Sequence, residues 1–299
     1  MKVRPSLRVT IAISLNIVFW ASAYSGIRAG LRSYTPAHLA LLRFFVASSV
    51  LLVYVIATKH QMKRPALKDL PMIIFGGFAG YTVYHLALNF GETTVSPGIA
   101  SLIVALVPVF TAIWSHIFLQ ERMRISGWFG TAISVLGVSW LTLDSGGILQ
   151  LNRGVLLVLL AAFSESIFFT LQRSYVKKYG SLTYTTYTIW SGTLFMLVFL
   201  PGLLHNIMLA RRAATLSVIY LGIFPTVISY FSLAYVTSVV GSSKATNFLY
   251  VIPVVSFIIS WIWFGIAPSL NAVISGMVIL LGIVTTQQRN GLFIRNPGA

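Results

Sequence analysis

Two kinds of side chain are scarce in this chain: thiols and acids. Its 299 residues contain no cysteine and only five carboxylates, Asp69, Glu92, Glu121, Asp144 and Glu165. The absence of cysteine excludes a disulfide framework and any thiolate metal site. With Glu165 the only acid deep inside an apolar segment, no close pair of buried carboxylates is available for acid–base work. The sequence has no HExxH, G-x-S-x-G or P-loop pattern, so an intramembrane enzyme remains only a remote alternative. No cofactor and no metal site is implied. Charged residues make up 9% of the chain, against about 25% in an ordinary soluble domain. No loop is long enough to bury a core of its own, and no nucleotide-binding domain or ATPase subunit is implied. A selectivity-filter loop or a ring of charge, as in a channel, is also missing.

Apolar residues fill the space that charge leaves. They form 57% of the chain and fall into blocks of about 18–25 residues, the length of a helix that crosses a bilayer. Ten such spans are expected, near 9–28, 36–57, 69–90, 97–119, 125–143, 154–176, 182–204, 214–236, 242–264 and 269–287. The fold class is therefore all-α and polytopic, in one membrane domain. Pro36, Pro71, Pro97 and Pro268 lie at span starts, where a missing N–H costs little. Lys2, Arg4 and Arg8 lead directly into the first span, without the pattern of a cleaved signal.

The net charge of +16 reflects the shortage of acids and basic residues at span ends; it is not read as a nucleic-acid footprint. With the N-terminus placed in the cytoplasm, fifteen Lys and Arg fall on that side and five, Arg28, Arg32, Arg153, Arg211 and Arg212, on the other; Arg43 lies within a span. The asymmetry puts both termini in the cytoplasm, in a bacterial inner (plasma) membrane. The lipid bilayer and a small molecule are the expected partners. The sequence leaves the oligomeric state open, with a monomer plausible.

The chain also resembles itself at an offset of 145 residues. Gly77 aligns with Gly222, Ala100 with Ala245, Pro108 with Pro253, Val109 with Val254, Ser115 with Ser260, and Leu136–Gly137 with Leu281–Gly282. The expected halves are residues 1–145 and 146–290, with 291–299 a short cytoplasmic tail. Each half holds five spans, and an odd number inserts the second copy upside down. Such inverted repeats underlie alternating access in many secondary transporters, with the substrate near the midplane where the halves meet.

Several segments resemble the drug/metabolite transporter superfamily, ten-helix EamA type. They are Trp20-Ala-Ser in span 1, Leu42-Arg43-Phe44 in span 2, the prolines at the middle of spans 4 and 9, and the Gln120-Glu121-Arg122 turn followed by Gly130 and Gly137. The resemblance covers nearly the whole chain. It departs at Phe264-Gly265-Ile266-Ala267, which has no acid to match Glu121; if that acid closes a gate, the two gates differ. The resemblance implies export of small metabolites, with neutral or aromatic amino acids the nearest match. Carriers of phosphorylated metabolites, sugar nucleotides or lipids share the fold and stand as the alternative, although the spans offer little cationic charge beyond Arg43.

Candidate substrate-binding residues follow from helical spacing and the repeat. Tyr81, Tyr84 and His85 share one face of span 3, and their mates in span 8 are Thr226, Ser229 and Tyr230. A carboxylate at the depth of Glu165 costs at least ~2.5–3.5 kcal/mol, so it should face the bundle interior, where it could hold a substrate ammonium, carry a coupling proton or make a structural bond. Its mate is Trp20. Trp20 and Tyr24 share a face of span 1 and, with Phe168 and Phe169, could build an aromatic wall, although Phe169 reads better as filling. Asn247 and Tyr250 in span 9, and Ser101 in span 4, complete the set. Each of these has a structural alternative, such as a tyrosine bonded to a neighbouring carbonyl or a histidine filling a helix interface. Pro108, Pro225 and Pro253 are candidate hinges, because each removes a backbone hydrogen bond. Gly76, Gly77 and Gly80 should permit close helix packing. Trp261 and Trp263 read as interfacial residues, and Arg43 is expected to be structural, either reaching the outer interface or bonding a buried acceptor.

Overall fold

A computed structural model describes residues 7–59, 62–118, 125–144, 153–240 and 251–288. Among them the regular structure is helical. The helices are α1 (Leu7–Gly30), α2 (Pro36–Ala57), α3 (Leu70–Gly91), α4 (Pro97–Val104 and Val107–Phe118), α5 (Ile125–Asp144), α6 (Arg153–Tyr179) and α7 (Ser181–Met196). They continue with α8 (Arg212–Leu221, Gly222–Ile228 and Ser229–Val240), α9 (Ile252–Phe264) and α10 (Leu270–Gln288). Six are long and apolar enough to cross a bilayer, and α7 with the short helix Leu203–Leu209 makes a seventh, bent by 85°. The apolar stretches in α5, α9 and α10 are shorter. This is a polytopic membrane fold, and its helix order is consistent with ten spans.

Local chemistry accounts for the breaks. α2 starts at Pro36, with the Thr35 side chain accepting a bond from His38 N at 3.2 Å, as an N-cap does. α4 stops at Val104 and resumes at Val107. Pro108 has no N–H for the Val104 carbonyl, so the regular ladder cannot run through. Pro225 deprives the Leu221 carbonyl of its partner in the same way, but here the helix widens into a π segment, Gly222–Ile228. Thr226 Oγ1 donates to that carbonyl at 2.8 Å and makes good the loss. Pro253 lies in the first turn of α9.

α3 widens too, at Phe78–Val83, 145 residues before most of the α8 π segment. Here no proline is involved. Ser164 of α6 donates to the Ala79 carbonyl at 2.7 Å, and Ser191 of α7 donates to Ile74 at 3.1 Å.

Several contacts join residues 145 apart or repeat at that offset. The Ser48 and Thr193 hydroxyls bond at 2.8 Å, and Ser134 Oγ reaches the Ile279 carbonyl at 3.4 Å. A residue meets its own mate only close to an axis relating the two. α5 and α10 pack through glycines: Gly137 lies against Ile279 and Ser275, and Gly282 against Ser134 and Gly130. Gly77 of α3 lies against Thr188 and Ser191 of α7, while Gly222 of α8 lies against Arg43 and Val46 of α2. Each contact in these pairs is the other shifted by 145 positions, as across a self-complementary interface.

Candidate functional site

The two π segments bring α3 and α8 together with α1, α2, α6 and α7 around a buried aromatic chamber. Tyr81 is at its centre. Its ring lies 5.1 Å from Phe168, 5.5 Å from Phe44 and 5.9 Å from Tyr230. Tyr230 in turn lies edge-on to Trp20 at 5.8 Å. His85 packs between Phe44 at 4.6 Å and Tyr84 at 4.5 Å, with Nδ1 3.0 Å from the Tyr81 carbonyl. Phe168 is fully buried and carries Tyr184 on its other side at 5.8 Å. Glycines admit these rings: a Cβ on Gly80 would come within 2.5 Å of Phe168 Cγ.

Trp20 and Asn16 hold α1 to the widened turn of α8. Trp20 Nε1 donates to the Pro225 carbonyl at 2.9 Å, and Asn16 Nδ2 to the Ser229 carbonyl at 2.7 Å. Carbonyls bent out of the helical ladder by the π turn thus find partners within the bundle, which a lipid environment requires.

Charge enters the chamber from two helices. Arg43 is buried, 5% exposed, and its Nε donates to Thr226 Oγ1 at 3.0 Å. It stands within electrostatic reach of Glu165, Tyr84 and Tyr230. Glu165 is half-buried on α6, beside the Tyr84 hydroxyl, which also neighbours the hydroxyl of Tyr24. One carboxyl and one guanidinium therefore share an apolar, aromatic-walled space. The buried Tyr81 hydroxyl stands close to those of Thr188 and Tyr230, whereas the buried Tyr184 hydroxyl has no hydrogen-bond partner within the described protein. A narrow crevice of about 20 Å³ lies beside Thr226 and Tyr230 between α2, α7 and α8; Leu51, Ser181, Thr185 and Phe231 also line it.

Trp20, Tyr24, Tyr81, Tyr84, His85, Glu165, Phe168, Thr226 and Tyr230 thus lie in or against one cluster, which the Ser229 hydroxyl does not join, since it donates to the Phe224 carbonyl of its own helix at 3.2 Å. Ser101 does not join it through its hydroxyl, which donates to the Gly98 carbonyl of its own helix at 2.6 Å. Asn247, Tyr250 and Glu121 lie outside the described residues. Of the two readings of Arg43, the structure shows the buried acceptor: its Nε is bonded to Thr226. Phe44, Tyr184 and Thr188 were not singled out by sequence. The repeat carries a signal for Thr188, whose mate is Arg43. The other two are buried aromatics among many and carry none.

The fold is that of a polytopic membrane protein, and comparison with known proteins gives both the class, a membrane transporter, and the family. The pattern of the EamA-like transporter family matches twice, at residues 7–143 and 152–287. The chain belongs to this family. The "Uncharacterized transporter YdfC" of Bacillus subtilis (strain 168) is 48% identical over 99% of this chain and 97% of its own length. The "Probable terminal-alkyne amino-acid exporter" of Streptantibioticus cattleyicolor is 34% identical over 93% of both chains. A solved crystal structure shares the fold with a TM-score of 0.64, at 18% identity over 95% of this chain and 97% of that one.

Proposed function

We propose that this transporter exports small zwitterionic metabolites, neutral or aromatic amino acids first among them, by alternating access around the aromatic chamber. The observation that carries this reading is Glu165 and Arg43 set within electrostatic reach of one another among Tyr81, Tyr84, Phe168, Tyr230 and Trp20. An α-amino acid presents an ammonium, a carboxylate and a side chain. Glu165 would hold the ammonium, and Arg43 the carboxylate with donors other than its Nε. The rings would take the side chain and add cation–π attraction. A strongly anionic substrate, such as a sugar nucleotide, would meet the Glu165 carboxyl in the same space, which disfavours the alternative. The amino-acid exporter of Streptantibioticus lends weight by likeness alone.

In this reading the chain is two five-helix halves, 1–145 and 146–290, inserted in opposite senses with both termini cytoplasmic. The π segments of α3 and α8, with Pro108, Pro225 and Pro253, are the places where the halves flex. The crevice beside Thr226 and Tyr230 is the cytoplasmic approach.

Counterflow of labelled L-phenylalanine and L-leucine into liposomes containing the purified protein tests the proposal. Unlabelled amino acid inside should drive uptake of label. Glu165→Gln should lower the apparent affinity roughly 10–100-fold, the worth of a hydrogen bond to a charged group. No counterflow with any amino acid would refute the substrate assignment. Unchanged affinity in Glu165→Gln at every pH would refute the role of that carboxyl.

A further inference from the structure

Glu92 ends α3 on the side expected to face out, just beyond the apolar span. Its side chain is fully buried, and neither carboxyl oxygen has a hydrogen-bond partner within the described protein. The nearest cation does not answer it: Arg28 Nη1 is bonded to the backbone carbonyls of Glu92 and Thr93, at 2.8 and 3.3 Å. A bare carboxylate in such a place is among the costliest groups a protein can bury, so the group is expected to be neutral or to hold a cation. The charged and titratable groups that face it are Tyr24 and Arg28 from α1 and Arg43 from α2. α6 packs its Gly154 and Val158 on Gly91, and its nearest charges are exposed Arg153 and, further along, Glu165. Tyr24 lies within electrostatic reach of both Glu92 and Glu165, and Tyr84 neighbours Tyr24 and Glu165.

We propose that Glu92 is a second cation site of this carrier, a buried carboxyl that takes a proton from the outer side and gives it up to water on the cytoplasmic side in exchange for substrate. The step conserves atoms and charge. The O–H bond of Glu92 breaks as its proton passes to water, and one substrate molecule leaves for each proton taken up. Burial holds the Glu92 carboxyl well above the usual carboxylate range, against the opposing charges of Arg28 and Arg43. The coupling rests on the reading of the chamber as a substrate site; the protonation of Glu92 does not.

The test uses the full chain in liposomes, with labelled L-phenylalanine, and has two readouts. Infrared absorption of a protonated carboxyl at pH 7 should be present in the parent, reduced in Glu92→Gln and restored in Glu92→Asp. In the same vesicles, one-for-one exchange against a gradient of about one pH unit should sustain about a tenfold phenylalanine gradient. Glu92→Gln should abolish that accumulation and Glu92→Asp should restore it. Accumulation that persists in Glu92→Gln, or a parent that exchanges phenylalanine yet ignores the pH gradient, would overturn the proposal. Without counterflow in the parent it is the chamber reading that fails, and the infrared band then decides on Glu92: its absence from the parent, or persistence undiminished in Glu92→Gln, overturns the site.

Discussion

Replacing Gly77 with alanine would drive a methyl carbon to 2.4 Å from the Thr188 carbonyl oxygen and 2.8 Å from Ser191 Cβ. Carbon–oxygen contacts of this kind settle at about 3.3–3.6 Å, so α3 and α7 would have to part by about 1 Å. The obstacle is backbone, and no rotamer change relieves it. Overpacking of this sort costs about 1–3 kcal/mol. Gly222→Ala repeats the experiment in the equivalent place, with its methyl 2.7 Å from the Arg43 carbonyl, and should cost somewhat less. Gly276→Ala is the control, because its closest neighbour is Leu102 Cδ1 at 3.1 Å, the movable end of a side chain. The helical preference of alanine, worth about 1 kcal/mol over glycine, is common to all three, so their differences report the clash. Thermal unfolding in detergent, followed by tryptophan fluorescence, should rank melting temperatures Gly276→Ala, Gly222→Ala, Gly77→Ala from high to low. Steps of about 2–4 °C per kcal/mol are expected for a chain of this size. Because Gly77 seats Thr188 and Gly222 seats Arg43, counterflow should fall in the same order. A Gly77→Ala protein that melts at or above Gly276→Ala would refute the argument.

Two further outcomes follow from single contacts. Trp20→Phe removes the indole N–H from the Pro225 carbonyl and should destabilise the protein by about 1–3 kcal/mol, the cost of a buried acceptor left unpaired; an unchanged melting temperature would mean another donor takes over. Asp69, just before the α3 span, is bonded by Lys178 and Tyr179, and these bonds hold its pKa below the usual 3.8. A depressed carboxyl pKa contributes stability above the unfolded value, and that contribution disappears as pH falls through the folded one. Acid unfolding below about pH 4 should therefore flatten in Asp69→Asn, and an identical acid profile would count against the contact.

The helical, polytopic fold was legible from apolar block lengths, because these follow from a one-dimensional rule. The shared face of Tyr81, Tyr84 and His85 also followed from helical spacing. Spacing does not say which carbonyl a side chain meets. Arg43 looked structural because an isolated cation in a span usually reaches for an interface, and only the packing of α2 on the π turn of α8 reveals Thr226 as its acceptor. The α3 π segment has no proline to announce it. Ser101 pointed to the chamber by residue type alone, and its hydroxyl was captured by its own helix. Glu92 sits at a helix end, where an acid is normally solvated, and nothing in the residue pattern around it signals its burial.

The meeting of Ser48 with Thr193, each across from its own counterpart, bears on how such a site can carry charge. In a pair of identical subunits, an acid at one position always brings its twin, and two like charges would face the same small space. A single polypeptide is free of that constraint. Glu165 has Trp20 as its counterpart and Arg43 has Thr188, so each charge appears once and opposes a neutral partner. Joining the copies in one chain lets an even-handed scaffold carry unlike charges, and under the proposed function an amino acid, itself charged differently at its two ends, would lie there in one preferred orientation.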